Sequence, residues 1–292
     1  MDFYAVGKKI KELRKNIGIS QEELAEGICT QAQISKIEKG IVFPYASTLY
    51  LISQKLGVDV NYFFDIGMTP RLDYVQEVSH QLKKARRTFN YNDIKQIVKA
   101  EEQNPLFIQN NANLQILKWH KGIYEYELDK DVKKAITTLQ EAINLTHKNN
   151  KVYSERELEI LISVGMFYFN EDIMKAKEVF TEIREGIMLL PYLSDYTIKT
   201  RFFYNYARLL TRSEKIEESI KYCQDGISWC LEKDTMFLLG ELHYQIGYNF
   251  ELLNDKDKAK VYMEKALVVF ELQQDDKYIQ FIKNKITELT SL

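Results

Sequence analysis

Apolar side chains recur at helical spacing along nearly the whole chain, and the alternating pattern of β-strands is rare. Near the N-terminus, Val6, Ile10 and Leu13 stand three or four residues apart, which places them on one face of a helix. The 292 residues include only 12 Gly and 4 Pro, so few positions interrupt such helices. The pattern predicts an all-α protein, and its length suffices for two domains.

Two short helices joined by a tight turn are predicted within residues 18–40. Ser20 followed by Glu23 is a capping box, which marks the start of the first helix. Thr30 can cap the second helix, and Gly40 suits the position just after its C-terminus. The second helix would bury its isoleucines and expose short and amide-bearing side chains. Such side chains can contact base edges in a DNA major groove.

With its flanking helices, this segment resembles the helix-turn-helix domain of the Xre or phage-repressor type over residues 1–66. The resemblance implies a five-helix DNA-binding domain, and the alternative is a helical hairpin without a DNA role. It rests on Ser20-Gln21, Leu24-Ala25, Ile34-Ser35-Lys36, Ile37-Glu38 and Gly40.

The outward side chains of this domain are the candidates for DNA contact. Gln31 and Lys36, and next Gln33, are expected at base edges, whereas Gln21 is expected at a phosphate near a helix N-terminus. The predicted DNA-binding residues are Gln21, Thr30, Gln31, Ala32, Gln33, Ser35, Lys36, Tyr45 and Ser47.

The net charge of −2 argues against a protein that coats nucleic acid generally. The first predicted helix is nevertheless basic, and its cations could lie along DNA phosphates. Because residues 1–66 balance eight Lys or Arg against eight Asp or Glu, one such domain should bind DNA weakly. This favours a homodimer on the two half-sites of a palindromic operator. The basic residues are Lys8, Lys9, Lys11, Arg14 and Lys15.

The chain offers no membrane-spanning run and no signal-peptide pattern, so we expect a cytoplasmic protein with no membrane partner. Cys29, Cys223 and Cys230 lack metal-ligand spacing, and we expect buried thiols. If one helix carries Cys223 and Cys230, their Cα atoms lie roughly 10 Å apart, too far for a disulfide. Without a phosphate loop, a metal motif or a nucleophile beside a histidine, we expect no enzyme, catalytic residue, metal or cofactor.

Pro70 separates the first domain from the rest of the chain. We predict a linker and connecting helix over residues 67–90 and a repeat domain over residues 91–292. The connecting helix, from about 72 to 88, also begins the first repeat pair. It ends in a basic cluster that suits either a peptide carboxylate or a solvated helix end. The cluster consists of Lys83, Lys84, Arg86 and Arg87.

Helices in the repeat domain are predicted in pairs, with small residues at Gly122, Gly165, Ala207 and Gly247 in the first helix of successive pairs. Their spacings of 43, 42 and 40 residues resemble a degenerate tetratricopeptide repeat. The resemblance implies a right-handed superhelix of about five helix pairs plus a capping helix, with a concave groove. A second small residue follows in each partner helix, at Ala135, Ala176, Ser219 and Ala259.

The residues two positions before the small residues should face this groove. They include His120, Asn205 and Gln245, and a row of amides suits a peptide main chain because each amide offers a donor and an acceptor. Arg201 and Arg208 could take a peptide carboxylate. Against this, an aromatic or amide side chain on such a helix can equally belong to the packing between repeats.

The combination of these two domains resembles a known family. The chain carries Phe43-Pro44, Tyr204-Asn205 ahead of Glu217-Glu-Ser219, and Leu242-His-Tyr-Gln-Ile-Gly247. In these segments it resembles the cytoplasmic peptide-pheromone receptors of Gram-positive bacteria, which comprise the Rap, Npr, Plc and Prg regulators. Within that family it resembles PlcR-like regulators most. The resemblance implies a quorum-sensing transcription regulator, with a leaning toward activation, that binds a short re-imported peptide. It also implies that Asn205 holds the peptide main chain. The predicted peptide-binding residues are Asn205, Gln245, Arg201, Arg208, Tyr244, Lys84 and Arg87.

Peptide in the groove would change the superhelical curvature and re-space two DNA-binding domains on successive major grooves. One alternative is a repressor that needs no peptide and whose repeats bind a protein partner. A regulator of a phage or mobile element with the same build is another. The operator, the peptide and the regulated genes stay open at this stage.

Overall fold

The computed structural model describes residues 2–69, 71–148 and 151–290, and the regular secondary structure in these ranges is helical. The chain divides into two compact units, Met1–His120 and Lys121–Leu292. The first unit contains α1 (Phe3–Asn16), α2 (Gln21–Ala25), α3 (Gln31–Glu38), α4 (Ala46–Leu56), α5 (Val60–Met68), α6 (Leu72–Arg87), α7 (Tyr91–Glu101) and α8 (Pro105–Ile108). The boundary falls within α9 (Asn111–Glu127). The second unit continues with α10 (Val132–Asn144), α11 (Glu155–Glu171), α12 (Ile173–Leu189), α13 (Thr197–Arg212), α14 (Ile216–Glu232), α15 (Leu239–Leu252), α16 (Lys256–Gln273) and α17 (Asp276–Thr290).

The helix ends of the predicted DNA-binding motif are confirmed. The Ser20 hydroxyl accepts from the Glu23 backbone N–H, and the Glu23 carboxylate accepts from the Ser20 N–H. Thr30 caps α3 by accepting from the Gln33 N–H. Gly40 follows with φ of +69°, which an L side chain rarely adopts. The core of this five-helix bundle is formed by Val6, Ile10, Leu24, Ala25, Ile34, Ile37, Leu49, Ile52, Leu56 and Phe63.

Helices α1 and α3 approach each other at Gly7. A Cβ atom built on Gly7 would lie 2.1 Å from the carbonyl oxygen of Ile37, which is backbone and cannot move aside. Glycine is therefore required here by close packing and not by its backbone angles. The periodicity of α1 gave no sign of this contact, because it depends on a neighbour thirty positions along the chain.

A helix, α6, occupies the residues predicted for the connecting helix, and it packs on α7 in the first unit. Its apolar face is formed by Val75, Val78 and Leu82, all at most 6% exposed. The basic cluster occupies its last turns, as predicted.

The second unit is an array of helix pairs, and α17 packs on α16 at its end. The small residues allow the two helices of a pair to approach each other closely. A Cβ on Gly247 would lie 3.0 Å from the carbonyl oxygen of Ala259, and a Cβ on Gly122 would lie 3.1 Å from that of Ala135. In the α13–α14 pair, the Ser219 hydroxyl donates to the carbonyl oxygen of Ala207 at 2.8 Å.

Cys223 and Cys230 are buried in the second unit, as predicted, whereas Cys29 is only partly buried. Burial raises the pKa of the Cys223 and Cys230 thiols. It also raises the pKa of the Cys29 thiol, which is less buried. A search of the described residues for a helix that could cross a bilayer found no candidate.

Candidate functional site

Helix α3 turns the predicted face outward. Ile34 and Ile37 are at most 1% exposed and anchor the helix in the core. The spacing of these two residues leaves the other side of α3 accessible, as expected for a helix that contacts DNA. The outward residues are Gln31, Ala32 and Lys36, which are exposed, and Gln33 and Ser35, which are half-buried.

A chain of polar contacts runs from the core to this face. The guanidinium of Arg14 pairs with the Glu38 carboxylate, with Nε 2.6 Å from Oε1. Gln21 Nε2 donates to Glu38 Oε2 at 2.7 Å, and Gln31 Nε2 donates to Gln21 Oε1 at 2.7 Å. The expectation that Arg14 lies along phosphates is therefore wrong, because its side chain is 10% exposed and its guanidinium is paired inside the bundle. The hydrogen bond between Gln21 and Gln31 holds these two side chains in a defined position relative to each other.

The predicted contacts outside α3 lie at its start and at the start of α4. The Thr30 side chain is exposed but already caps α3. Tyr45 is the N-cap residue of α4, is 78% exposed, and makes no capping hydrogen bond through its side chain. Ser47 is exposed in the first turn of α4. Helix N-termini attract phosphate, so Tyr45 and Ser47 are well placed for a backbone contact.

In the second unit, α13 carries Arg201, Asn205, Arg208 and Arg212 at helical spacing along one face. Asn205 is 8% exposed, and its Nδ2 donates to the Arg201 carbonyl at 2.9 Å. This leaves the Asn205 carbonyl oxygen as an acceptor. Arg201 already forms an ion pair, in which its Nη2 lies 2.6 Å from Glu159 Oε1 on α11. The carboxylate role predicted for Arg201 would require it to exchange that partner.

Gln245 belongs to a buried polar network that links α13, α14 and α15. Its Nε2 donates to Thr211 Oγ1 at 2.9 Å, and Thr211 in turn donates to Asn249 Oδ1 at 2.7 Å. Asn249 Nδ2 donates to Ser219 Oγ at 2.8 Å. Thr211 and Asn249 were not among the residues predicted from the sequence. The only sign was their polarity within an apolar pattern, and their pairing depends on three helices.

A cavity of about 330 Å³ opens between α13 and α15 in this unit. Arg208 lines it, and its guanidinium carbon lies 5.1 Å from the Phe169 ring centre and 5.5 Å from that of Tyr204. The burial of Tyr204 raises the pKa of its hydroxyl to about 12, so the ring is neutral at physiological pH. The cavity is lined by Phe169, Arg208, Thr211, Arg212, Gln245, Tyr248 and Leu252.

The other predicted groove residues are placed differently. Tyr244 makes an edge contact with Phe281 of α17, ring centres 5.4 Å apart, and burial raises its pKa to about 12. Lys84 and Arg87 lie on α6 in the first unit, where they line a cavity of about 370 Å³. His120 is 2% exposed, with Nδ1 2.8 Å from the Ile116 carbonyl oxygen, so its expected position in the groove is wrong.

Comparison with protein families defines the class of this protein. A helix-turn-helix model matches residues 10–63, and the model of the RNPP family C-terminal domain matches residues 79–289. A helix-turn-helix head followed by this helical domain is the build of a transcription regulator. The chain belongs to the RNPP family.

Two curated relatives match a short part of the chain. An uncharacterised HTH-type transcriptional regulator of Sinorhizobium medicae is 46% identical over 61 residues, and one of Rhizobium meliloti gives the same values. The match covers 20% of this chain and 44% of each relative, so the chain spans less than half the length of these curated relatives.

Solved structures share the fold over nearly the whole chain. PlcR of Bacillus thuringiensis, in complex with the peptide PapR7 and DNA, superposes with a TM-score of 0.88 at 24% identity, covering 96% of this chain and 99% of that one. ComR of S. thermophilus, with DNA and its signalling peptide ComS, gives 0.67 at 18% identity, covering 98% and 99%. The SHP pheromone receptor Rgg2 of Streptococcus dysgalactiae gives 0.64 at 15% identity, covering 97% and 99%.

Proposed function

We propose that this protein is a sequence-specific DNA-binding regulator whose binding to an operator depends on a short signalling peptide held by α13 and α15. The observation that carries the proposal is the cavity between these helices. It combines the Gln245 amide, aromatic rings and two arginines, which together suit a peptide's main chain, apolar side chains and acidic groups. The solved PlcR and ComR complexes, whose fold it shares, contain a peptide and DNA.

The DNA-binding head acts through α3. Gln31 and Lys36 contact base edges, while Tyr45 and Ser47 hold the phosphate backbone at the start of α4. The Gln21–Gln31 hydrogen bond supports this assignment because it fixes the Gln31 amide before DNA arrives. The head alone carries balanced charge, so we propose a homodimer on a palindromic operator.

The peptide acts by preferring one arrangement of the dimer. In that arrangement the two α3 helices meet successive major grooves, about 34 Å apart. A tenfold preference of the peptide for the DNA-competent state corresponds to about 1.4 kcal/mol of coupling. The regulator works in the cytoplasm, where both the DNA and the re-imported peptide are found. It performs no catalysis in this scheme.

The proposal is tested with the purified full chain and a library of genomic DNA fragments, with and without peptides extracted from culture medium. We expect peptide to change which fragments are retained, and Asn205→Ala to abolish that change while the circular dichroism spectrum is preserved. Asn284→Ala, an exposed amide on α17, is the control and should respond like the wild type.

The alternative function predicts a different outcome. A repressor whose repeats bind a protein partner would retain the same DNA fragments whether or not peptide is present. That result would overturn the peptide-dependent part of the proposal but leave DNA binding in place.

A further inference from the structure

Two arginines on α13 share one aromatic ring at the cavity. Arg208 and Arg212 are one helical turn apart, and their guanidinium carbons lie 5.1 and 4.9 Å from the centre of the Phe169 ring. Arg212 Nη1 donates to Asn170 Oδ1 at 3.1 Å, a neutral partner. In the described part of the chain, neither guanidinium has an ion pair with a carboxylate.

This arrangement differs from that of the neighbouring arginine on the same face. Arg201 is neutralised by Glu159, with 2.6 Å between Nη2 and Oε1. Like charges one helical turn apart repel each other, so Arg208 and Arg212 destabilise α13 slightly while they remain unpaired. An anion between them would remove that repulsion.

The geometry of the two groups suits a carboxylate. A guanidinium in cation–π contact with a ring still has N–H groups with which it can donate hydrogen bonds to a carboxylate. The residues that line the cavity include two arginines and no Asp or Glu. The cavity therefore has a positive charge that no lining residue compensates.

Gln245 adds a second recognition element. Its Nε2 is held by Thr211 Oγ1 at 2.9 Å, and the network behind Thr211 fixes that direction. The amide N–H groups are thus turned toward the network, and the carbonyl oxygen remains as an acceptor. A peptide N–H near the carboxylate could donate to it.

We infer that the cavity between α13 and α15 is a carboxylate-binding subsite for the peptide. Arg208 is its principal donor, Arg212 supplies additional positive charge, and Gln245 accepts from the adjacent peptide N–H. The inference rests on the proposed function, since it assigns the chemical class of the ligand bound there. The carboxylate belongs either to the peptide C-terminus or to an Asp or Glu side chain.

Affinity selection from randomised synthetic peptides tests the subsite and separates the two sources. The library is prepared as free acids and as C-terminal amides, each with and without Asp and Glu among the randomised residues. The immobilised full chain is compared with Arg208→Gln, Arg208→Lys and the control Arg184→Gln. The control removes an equal charge from α12, where the Arg184 guanidinium interacts with Tyr222.

We expect the wild type and Arg184→Gln to retain peptides that carry a carboxylate about tenfold better than those without one. If the C-terminus is the group recognised, amidation abolishes the preference, and if a side chain is recognised, removal of Asp and Glu does so. Arg208→Gln should lose the preference. Arg208→Lys should keep only part of it, because an ammonium lacks the two-pronged geometry.

Two outcomes would overturn the inference and are distinguishable. Retention of peptides without any preference for a carboxylate would show that this subsite is absent while peptide binding stands. No retention from any library by the folded wild type would remove peptide binding itself, and with it the proposed function. Melting curves of each variant confirm that the immobilised chains are folded.

Discussion

Arg14 and Glu38 form a two-pronged buried ion pair, with 2.6 Å between Nε and Oε1 and 3.1 Å between Nη2 and Oε2. The Arg14 Nη1 also donates to the Ile19 carbonyl oxygen at 2.8 Å. The pair joins the last turn of α1 to the last turn of α3. Since Gln21 binds the same carboxylate, this contact helps to set the position of the face that is proposed to meet DNA.

Replacement of Glu38 by Ala should destabilise the head by about 3–5 kcal/mol, because it leaves the Arg14 charge buried without a partner. Hydrogen exchange of the α1 and α3 amides measures this locally, without unfolding the second unit. Glu12→Ala, which breaks a solvent-exposed pair with Lys9, should cost at most about 1 kcal/mol. If the α1 and α3 amides were equally protected from hydrogen exchange in the two variants, the buried pair would not have the expected importance for stability.

The double variant Gln31→Ala with Lys36→Ala should lose sequence preference for DNA. Each removed base contact is expected to cost about 1–3 kcal/mol of discrimination at its position. Selection from randomised duplexes measures this directly. Ser47→Ala is the matched comparison, since loss of a phosphate contact weakens binding to all DNA sequences by a similar factor. An unchanged consensus in the double variant would mean that the contact face lies elsewhere.

Asn249→Ala should destabilise the second unit by about 1–3 kcal/mol, because Thr211 and Ser219 each lose a buried hydrogen-bond partner. Asn249 is 0% exposed, so both hydrogen bonds are shielded from bulk water. Urea unfolding followed by tryptophan fluorescence in a Trp119→Phe background, in which Trp229 is the remaining tryptophan, reports on this unit. Asn284→Ala, exposed on α17, should leave the midpoint unchanged.

His243 should make the second unit less stable in weak acid. Burial, together with nearby Lys265, lowers its pKa from the ordinary 6.5 to about 4. Between pH 6.5 and 4 the unfolded chain binds a proton that the folded chain does not, so stability is full above pH 6.5 and falls as the pH drops toward 4. Unfolding midpoints measured across this range should fall less steeply for His243→Gln than for the wild type. Asn284→Gln, an exposed and non-titrating site on α17 of the same unit, should leave the slope as it is.

The helices could be predicted from the sequence because their signals are local. The presence of α6 and of the helix pairs in the second unit follows from apolar periodicity, and the starts of α2 and α3 follow from Ser20, Glu23 and Thr30. The contact of Gly247 with Ala259 was also predictable, since small residues at matching positions in paired helices leave room for close approach. The exposed side of α3 followed from the same periodicity.

The pairing of polar groups was decided only by the tertiary structure. Arg14 and Glu38 stand 24 positions apart, and Thr211 and Asn249 stand 38 apart, so no local pattern could join them. Arg201 and Arg208 look alike in the sequence, yet one is neutralised by Glu159 of α11 and the other lies against Phe169 beside an open cavity. Which charge remains available to a ligand depends on the groups that packing brings within hydrogen-bonding distance, whereas helix formation depends mainly on neighbours within one or two turns.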